Sequence, residues 1–385
     1  VASFETITIE EAAERLIDYR GKTPPKTESG IRLITAKVVK GGQIHDDPAE
    51  YIAADFYEEW MRRGLPQKFD VLITTEAPLG EVAILRSEER IALAQRIILL
   101  RAKRGEIDPE YLFYALQSDF SQGELRARAS GTTVLGIKQS ELRQVRIPKF
   151  PLPEQKRIAE ILSAYDELID NSQRRIKLLE TMARNLYREW FVHFRYPGHE
   201  NTPLIPSPLG NIPKGWEVKT VADSIEISGG GTPSRKEEKY WVGGTIQWFS
   251  PSDLTGAGTM FMDDSSDHIT KLGLAESSAR LFPARSVMLT SRATIGAIAI
   301  NTHEACTNQG FITCLPNKHA PLYFLFHWLT ENVPTFQRMA SGATFKEISR
   351  GVFKTIEFLQ PPVKLVSRFE DTAAPMAEQA LALQR

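Results

Sequence analysis

The sequence predicts an α+β protein: two similar mixed α/β domains separated by a long antiparallel coiled-coil helix pair. Three observations predict it. The first is an internal repeat: Ala129-Ser130-Gly131-Thr132-Thr133 recurs as Ala340-Ser341-Gly342-Ala343-Thr344. The offset that carries Ser130 onto Ser341 also carries Ile137 onto Ile348, Val145 onto Ile356 and Pro151 onto Pro362. Upstream the register drifts, as loop insertions cause. There Gly21-Lys22-Thr23-Pro24 answers Gly230-Gly231-Thr232-Pro233, Asp70–Thr75 answers Ser286–Ser291, and Gln95 answers Gln309. Solenoid repeats span about 20–50 residues, so this far longer period means two whole domains of one fold. The second observation is a stripe at Ile158, Ile161, Tyr165, Leu168, Ser172, Ile176, Leu179, Ala183, Leu186 and Trp190. Its alternating steps of three and four are a coiled-coil seam, with one four-residue stutter near Asn171-Ser172. The third is a like stripe, Val366, Phe369, Ala373, Met376, Ala380 and Leu383, after the second copy.

Bulk composition bounds the answer. In 385 residues, 42% hydrophobic and 25% charged, two domains and a connector fit naturally. No apolar run approaches the ~20 residues of a membrane span, and the N-terminus lacks a signal-peptide pattern. Two cysteines offer no disulfide framework and suit a reducing compartment, so the expected location is cytoplasmic. A net charge of −1 means that any phosphate-facing surface is a local concentration of Lys and Arg, offset by acid elsewhere.

In chain order, residues 1–150 read as the first domain. Ile9 to Ile17 is predicted as a short amphipathic helix and Gly21 to Gly30 as a loop. Asp70 to Thr75, Glu81 to Leu85 and Ala92 to Leu100 are β-type runs. Asp108-Pro109-Glu110 opens a helix with a cap, an early proline and an acid in the first turn. Residues 151–195 are the central helix. From Glu154 to Phe191 it spans about 57 Å at ~1.5 Å per residue, more than either domain can cover. Residues 196–214 are a Pro- and Gly-rich connector, an ordered turn in which Leu204, Ile205, Ile212 and Trp216 can pack. Residues 215–360 are the second domain, and 361–385 a C-terminal helix pairing with the central one. Pro375 inside its stripe is expected to kink or interrupt it. It stops about half way along the first copy's helix, so the natural protein is expected to continue past Arg385 or to carry a shortened copy.

Several residues now carry a family resemblance. They are Pro151-Leu152-Pro153-Glu154-Gln155-Lys156-Arg157-Ile158-Ala159-Glu160-Ile161-Leu162, the later Trp190-Phe191, the domain entry Gly215-Trp216-Glu217-Val218, and the two Ser-Gly-x-Thr loops. With the order domain, long helix, domain, long helix, the chain resembles the specificity (S) subunit of type I restriction-modification enzymes over essentially its whole length. The resemblance implies that each domain is a target recognition domain reading one half of a bipartite, asymmetric sequence in double-stranded DNA. It implies that the helices set the spacer and dock two methyltransferase (M) subunits, and that restriction (R) subunits join the complex. S-adenosylmethionine, ATP and Mg would sit on those partners, leaving this chain without chemistry and without cofactor. Duplication suits the pseudo-twofold symmetry of duplex DNA, and unequal loops suit two different half-sequences. The alternatives are a coiled-coil protein-binding scaffold without DNA specificity, or a diverged self-sufficient DNA methyltransferase or nuclease.

Candidate DNA contacts follow from paired positions that differ. Thr75-Glu76 faces Ser291-Arg292, and Gln95-Arg96 faces Gln309-Gly310; Gln suits adenine and Arg suits guanine. Thr132, Thr133 and Thr344 could meet phosphates, although the loops serve equally as structural turns. Lys138 and Lys346 follow those loops. Lys22, Lys26, Arg235 and Lys236 lie on the Thr-Pro loops, and Lys37 and Lys40 stand against Ser250 and Ser252; charged loop residues are otherwise simply solvated. The helix residues Ile158, Ile161, Tyr165, Leu168, Ile176, Leu179, Leu186, Trp190, Phe369 and Met376 are expected to form the spacer and partner seam. Trp248 reads as core. His303, Cys306, Cys314 and His319 match no compact zinc module, and an incidental buried thiol pair accounts for them better. No P-loop, methyltransferase motif or nucleophile triad is present.

Overall fold

The computed structural model describes residues 4–19, 23–342 and 345–385. The chain divides into two compact units, Val1–Ile169 and Asp170–Arg385, with the division inside the long helix Leu152–Tyr187.

In the first unit a four-stranded antiparallel sheet orders Ala13–Asp18, Ile97–Ala102, Val71–Thr75 and Leu79–Ile84. Beside it lies a three-stranded sheet of Tyr51–Ile52, Ile31–Ile34 and Ile91–Leu93. Glu5–Thr8 pairs with Arg146–Lys149, bringing the two ends of the domain together. The second unit repeats this plan. Glu226–Gly229, Phe311–Leu315, Val287–Thr290 and Ile298–Asn301 run in the same order, extended by Phe261–Met262. Asp267–Ile269, Ile246–Phe249 and Ala305–Thr307 form the smaller sheet, and Glu217–Thr220 pairs with Glu357–Gln360. Even unusual backbone is duplicated: Phe69 and Ala77 have φ of 71° and 49°, and their counterparts Arg285 and Ala293 have 65° and 61°.

Two sequence readings are corrected. The helix predicted over Ile9 to Ile17 spans only Ile9–Ala12, closed by a capping box between Thr8 and Glu11. From Ala13 the chain is a strand, because Ile17 and its neighbours pair with Ile97–Ala102, and tertiary pairing overrides a short amphipathic pattern. The single run Ala92 to Leu100 is two strands in different sheets, with Gln95 and Arg96 at the crossing. The helix after Asp108 forms as Pro109–Gln117, with the Asp108 carboxylate accepting from the Glu110 and Tyr111 amides.

The long helix is joined to the first domain by a polar key. Gln155, from the Pro-Leu-Pro-Glu-Gln motif, is 1% exposed. Its Oε1 accepts from the Asp108 amide at 2.9 Å, and its Nε2 donates to the carbonyls of Glu106 and Phe150 at 3.0 and 2.8 Å. One turn further on, Ala159 enters the domain core, and Tyr114 Oη donates to Asp166 at 2.7 Å.

In the second unit the helix ends in a π-helical turn, Arg188–Val192, that delivers Trp190 and Phe191 into an aromatic cluster. Phe191 meets Phe324 and Phe369 with ring centroids 4.8 and 5.2 Å apart. Phe369 belongs to the C-terminal helix Val363–Gln384, which buries Val366, Phe369, Ala373, Ala377, Ala380 and Leu381, with Met376 only half-buried. That helix passes through Pro375 without a break, because one exposed position loses one donor while the buried face on either side holds. Its far end is anchored away from Phe191, where Gln384 donates to the Phe261 carbonyl and Arg385 pairs with Asp263. The connector forms a hairpin, Leu204–Ser207 with Gly210–Pro213. Ile212 and Trp216 pack in it as expected, whereas Leu204 and Ile205 stay exposed.

The apolar stripe is covered unevenly. Trp190 is buried, Leu186 packs against the core, and Ile176 and Leu179 are half-buried. Ile158 packs on the first domain, but Ile161 is half exposed, and Tyr165 and Leu168 are 63% exposed. The stripe is thus covered at its two ends, by the first domain at Ile158 and by the aromatic cluster at Trp190, and open between them at Ile161, Tyr165 and Leu168.

Glu370 fixes the C-terminal helix to the domain beneath. Its carboxylate accepts from the amides of Tyr323 and Phe324 at 2.8 and 3.2 Å, at the start of helix Leu322–Met339. Burial pushes its carboxyl up to about 7 despite those two donors. A raised folded value means the folded state holds the proton more tightly than the unfolded chain. The associated stability is complete below about pH 4.5 and is lost as pH rises through about 7. Relative to E370Q, the natural chain should lose on the order of 1–3 kcal/mol between pH 5 and pH 8, read from denaturant midpoints; parallel curves would exclude the linkage. Q155L should cost the first unit about 2–4 kcal/mol, because stranded buried groups cost ~1–3 kcal/mol each; urea unfolding measures it.

Candidate nucleic-acid interface

The first unit gathers several predicted residues into one notch. A cavity of about 400 Å³ is lined by Thr75, Glu76, Gln95, Arg96, Ser130 and Lys138, among others. Backbone bonds build it. The Thr75 amide donates to the Arg96 carbonyl at 3.0 Å, the Ile137 amide donates to the Thr75 carbonyl at 3.0 Å, and Glu76 and Ser130 both bridge to Gly136. Three segments distant in sequence are thereby held edge to edge. The second unit builds the same frame. The Ser291 amide donates to the Gly310 carbonyl at 2.7 Å, the Ile348 amide to the Ser291 carbonyl at 2.9 Å, and Arg292 and Ser341 bridge to Glu347.

The Ser-Gly loops have a structural duty in both frames. Gly131 and Gly342 have φ of +117° and +128°, and a Cβ on either would lie 2.2 Å from the carbonyl oxygen three residues on. Glycine is required there whatever the loop binds. Thr132 and Thr133 are exposed beside the notch, while Thr344, like Lys22, lies outside the described residues. Thr75 and Ser291 are buried, so the strand ends offer the side chains of Glu76 and Arg292 to solvent instead.

Elsewhere the candidates are engaged differently. Lys26 and Lys37 both pair with Glu50, at 2.6 and 3.6 Å, and Lys40 is exposed. In the second unit Arg235 stacks 3.6 Å over the Trp241 ring and pairs with Asp267 at 2.5 Å, beside exposed Lys236. Ser250 closes a capping box with Asp253 and shares a hydrogen bond with Ser252, so both hydroxyls serve the helix Pro251–Ala257. Gln309 accepts from Thr232 Oγ1 at 2.6 Å, tying the Thr-Pro loop to the frame. Lys346 is exposed but is not the counterpart of Lys138. The paired bridges place Lys138 opposite Ser349, and Lys346 opposite Leu135. Trp248 is buried, its Nε1 donating to the Gly231 carbonyl. Cys306 and Cys314 are buried on different strands, with burial pushing the Cys306 thiol up to about 12. Among the described residues no group of His, Cys, Asp or Glu could hold a metal ion.

Sequence reasoning named Glu76 beside Thr75 but missed Glu347 as a member of these frames. Glu347 needed the turn between Ser341 and Glu347, which only the coordinates supply.

Comparisons with known proteins agree with this duplicated arrangement. A family model described as "Type I restriction modification DNA specificity domain" matches residues 32–181 and again 213–364. The MjaIX specificity subunit of a type I restriction enzyme from Methanocaldococcus jannaschii is 35% identical over 175 residues, covering 45% of this chain and 39% of that protein. The HindI specificity subunit of a type I restriction enzyme from Haemophilus influenzae is 24% identical over 357 residues, covering 76% of each. The crystal structure of a type I restriction-modification system S subunit from M. genitalium shares the fold, with a TM-score of 0.61 at 15% identity over 99% of this chain and 93% of that one.

Lys138 occupies the N-cap of helix Gln139–Arg143 and makes no capping bond. Its counterpart Ser349 caps helix Arg350–Lys354 by accepting from the Val352 amide. K138S should therefore raise stability by about 1 kcal/mol, seen as a higher unfolding midpoint. A lowered midpoint would show that the ammonium group holds the loop.

Proposed function

Because the chain belongs to the type I restriction-modification DNA specificity family, whose domain it carries twice, we propose that it is the specificity subunit of such a system, reading a bipartite DNA target and catalysing nothing itself. The observation that carries this reading is the pair of notches: one backbone frame built twice, with different side chains at equivalent positions. Two like frames meet two half-sites of a pseudo-symmetric duplex, and unlike side chains read unlike sequences. Lys138 and the exposed Thr132 and Thr133 border the first notch, where phosphates would pass; phosphate contacts position a reader and base contacts specify.

The long helix lies between the two domains in the chain, and we read it as the spacer. Its uncovered residues Ile161, Tyr165 and Leu168 support docking of methyltransferase subunits, one per domain. Restriction subunits would join that assembly. S-adenosylmethionine, ATP and Mg belong, on this reading, to the partners. A net charge of −1 makes binding by the isolated chain weak, since counterion release supplies much of the affinity of DNA-binding proteins.

The test is recognition-domain exchange. With residues 1–150 replaced by the equivalent domain of a relative, the methylation pattern in a host carrying the system should change in one half-site and keep the other. A change in both halves would show that the domains do not read independently. Absence of any specific shift of duplex DNA, with and without the methyltransferase, would favour the scaffold reading.

A further inference from the structure

Each notch carries one arginine–glutamate pair, set at different positions of the shared frame. In the first, Arg96 Nη2 lies 3.7 Å from Glu76 Oε1, with the side chains 47% and 45% exposed. In the second, Arg292 Nε lies 3.8 Å from Glu347 Oε2, with the side chains 46% and 42% exposed. The shared backbone bonds set Glu76 against Arg292, Arg96 against Gly310, and Gly136 against Glu347. Each frame thus has three positions for charge, fills two of them, and always with one arginine and one glutamate.

Resting on the reading above, we propose that each notch recognises a G·C base pair. The arginine donates to guanine O6 and N7, and the glutamate accepts from the N4 amine of the paired cytosine. Both are the favoured partners of those edges in the major groove. A carboxylate facing the phosphate backbone would be repelled, whereas one facing a base edge can accept from an amine there. Neither ion pair has close hydrogen-bond geometry. Exposed pairs of this kind contribute little, so both side chains are available to turn to the bases. The arginine comes from the strand end in one domain and from the facing segment in the other.

Selection of bound duplexes from a randomised pool by the full chain with its methyltransferase subunit tests this. The natural chain should select one G·C pair in each half-site that R96A and R292A relax separately, each by roughly 10- to 100-fold, with unfolding midpoints unchanged. Duplexes carrying N4-methylcytosine at that pair should bind the natural chain more weakly, and E76A or E347A, which lack the acceptor, indifferently. Preferences unaltered in R96A and R292A, or relaxed at an A·T pair, would overturn the assignment while leaving target recognition standing. Equal sensitivity of the natural chain and the alanine variants to N4-methylcytosine would overturn the role of the carboxylate. Failure of the natural chain to select any sequence would overturn both readings.

Discussion

Everything distinctive about the two notches depends on a strand end clamped from both sides by backbone hydrogen bonds. Thr75 in one domain and Ser291 in the other donate to one neighbouring segment and accept from another. These bonds involve no side chain beyond the main chain itself, so they survive wholesale change in the residues around them. Both clamped residues are buried, which keeps water from competing. Directly after each comes a charged residue and then an alanine held at positive φ. Left-handed alanine costs of order 1 kcal/mol or more, and its presence at equivalent places shows that the turn, not the residue, is what the fold maintains.

The helices obey a similar economy. A helix as long as Leu152–Tyr187 has little stability from its own hydrogen bonds and takes most of it from packing. At its start a single buried amide, Gln155, satisfies one donor and two acceptors of the adjoining loops. At the other end of the chain a buried carboxylate, Glu370, takes two amides at a helix start. Each is a polar group with two partners more than forty residues away in sequence, so each fixes one helix in one register. Between these keys the contacts are aromatic and apolar, which tolerate exchange of volume for volume.

Much of this was legible in the residues. The repeated Ser-Gly pair could be read because glycine has no substitute at φ near +120° with a carbonyl in contact. The long stripe and the Asp108 cap were legible because helical periodicity and capping are local. Non-local facts were not. Ile9 to Ile17 has helical spacing, yet from Ala13 it is claimed by a neighbouring strand. The apolar run Ala92 to Leu100 gave no sign of changing sheets at Gln95. The register that sets Glu347 beside Arg292, and Lys138 opposite Ser349, emerges only when both turns are built. Exposure of Tyr165 and Leu168 was hidden for a different reason: periodicity names an apolar face but not what covers it.

The half-exposed charges stand on a scaffold that owes them almost nothing. Surface substitutions away from caps and cores usually shift stability by less than about 0.5 kcal/mol. Positions 76, 96, 292 and 347 can therefore drift through the genetic code while the strands beneath keep their folding free energy. If the notches read DNA as proposed, a lineage can try new addresses on the genome one amino acid at a time, with no thermodynamic toll to slow it.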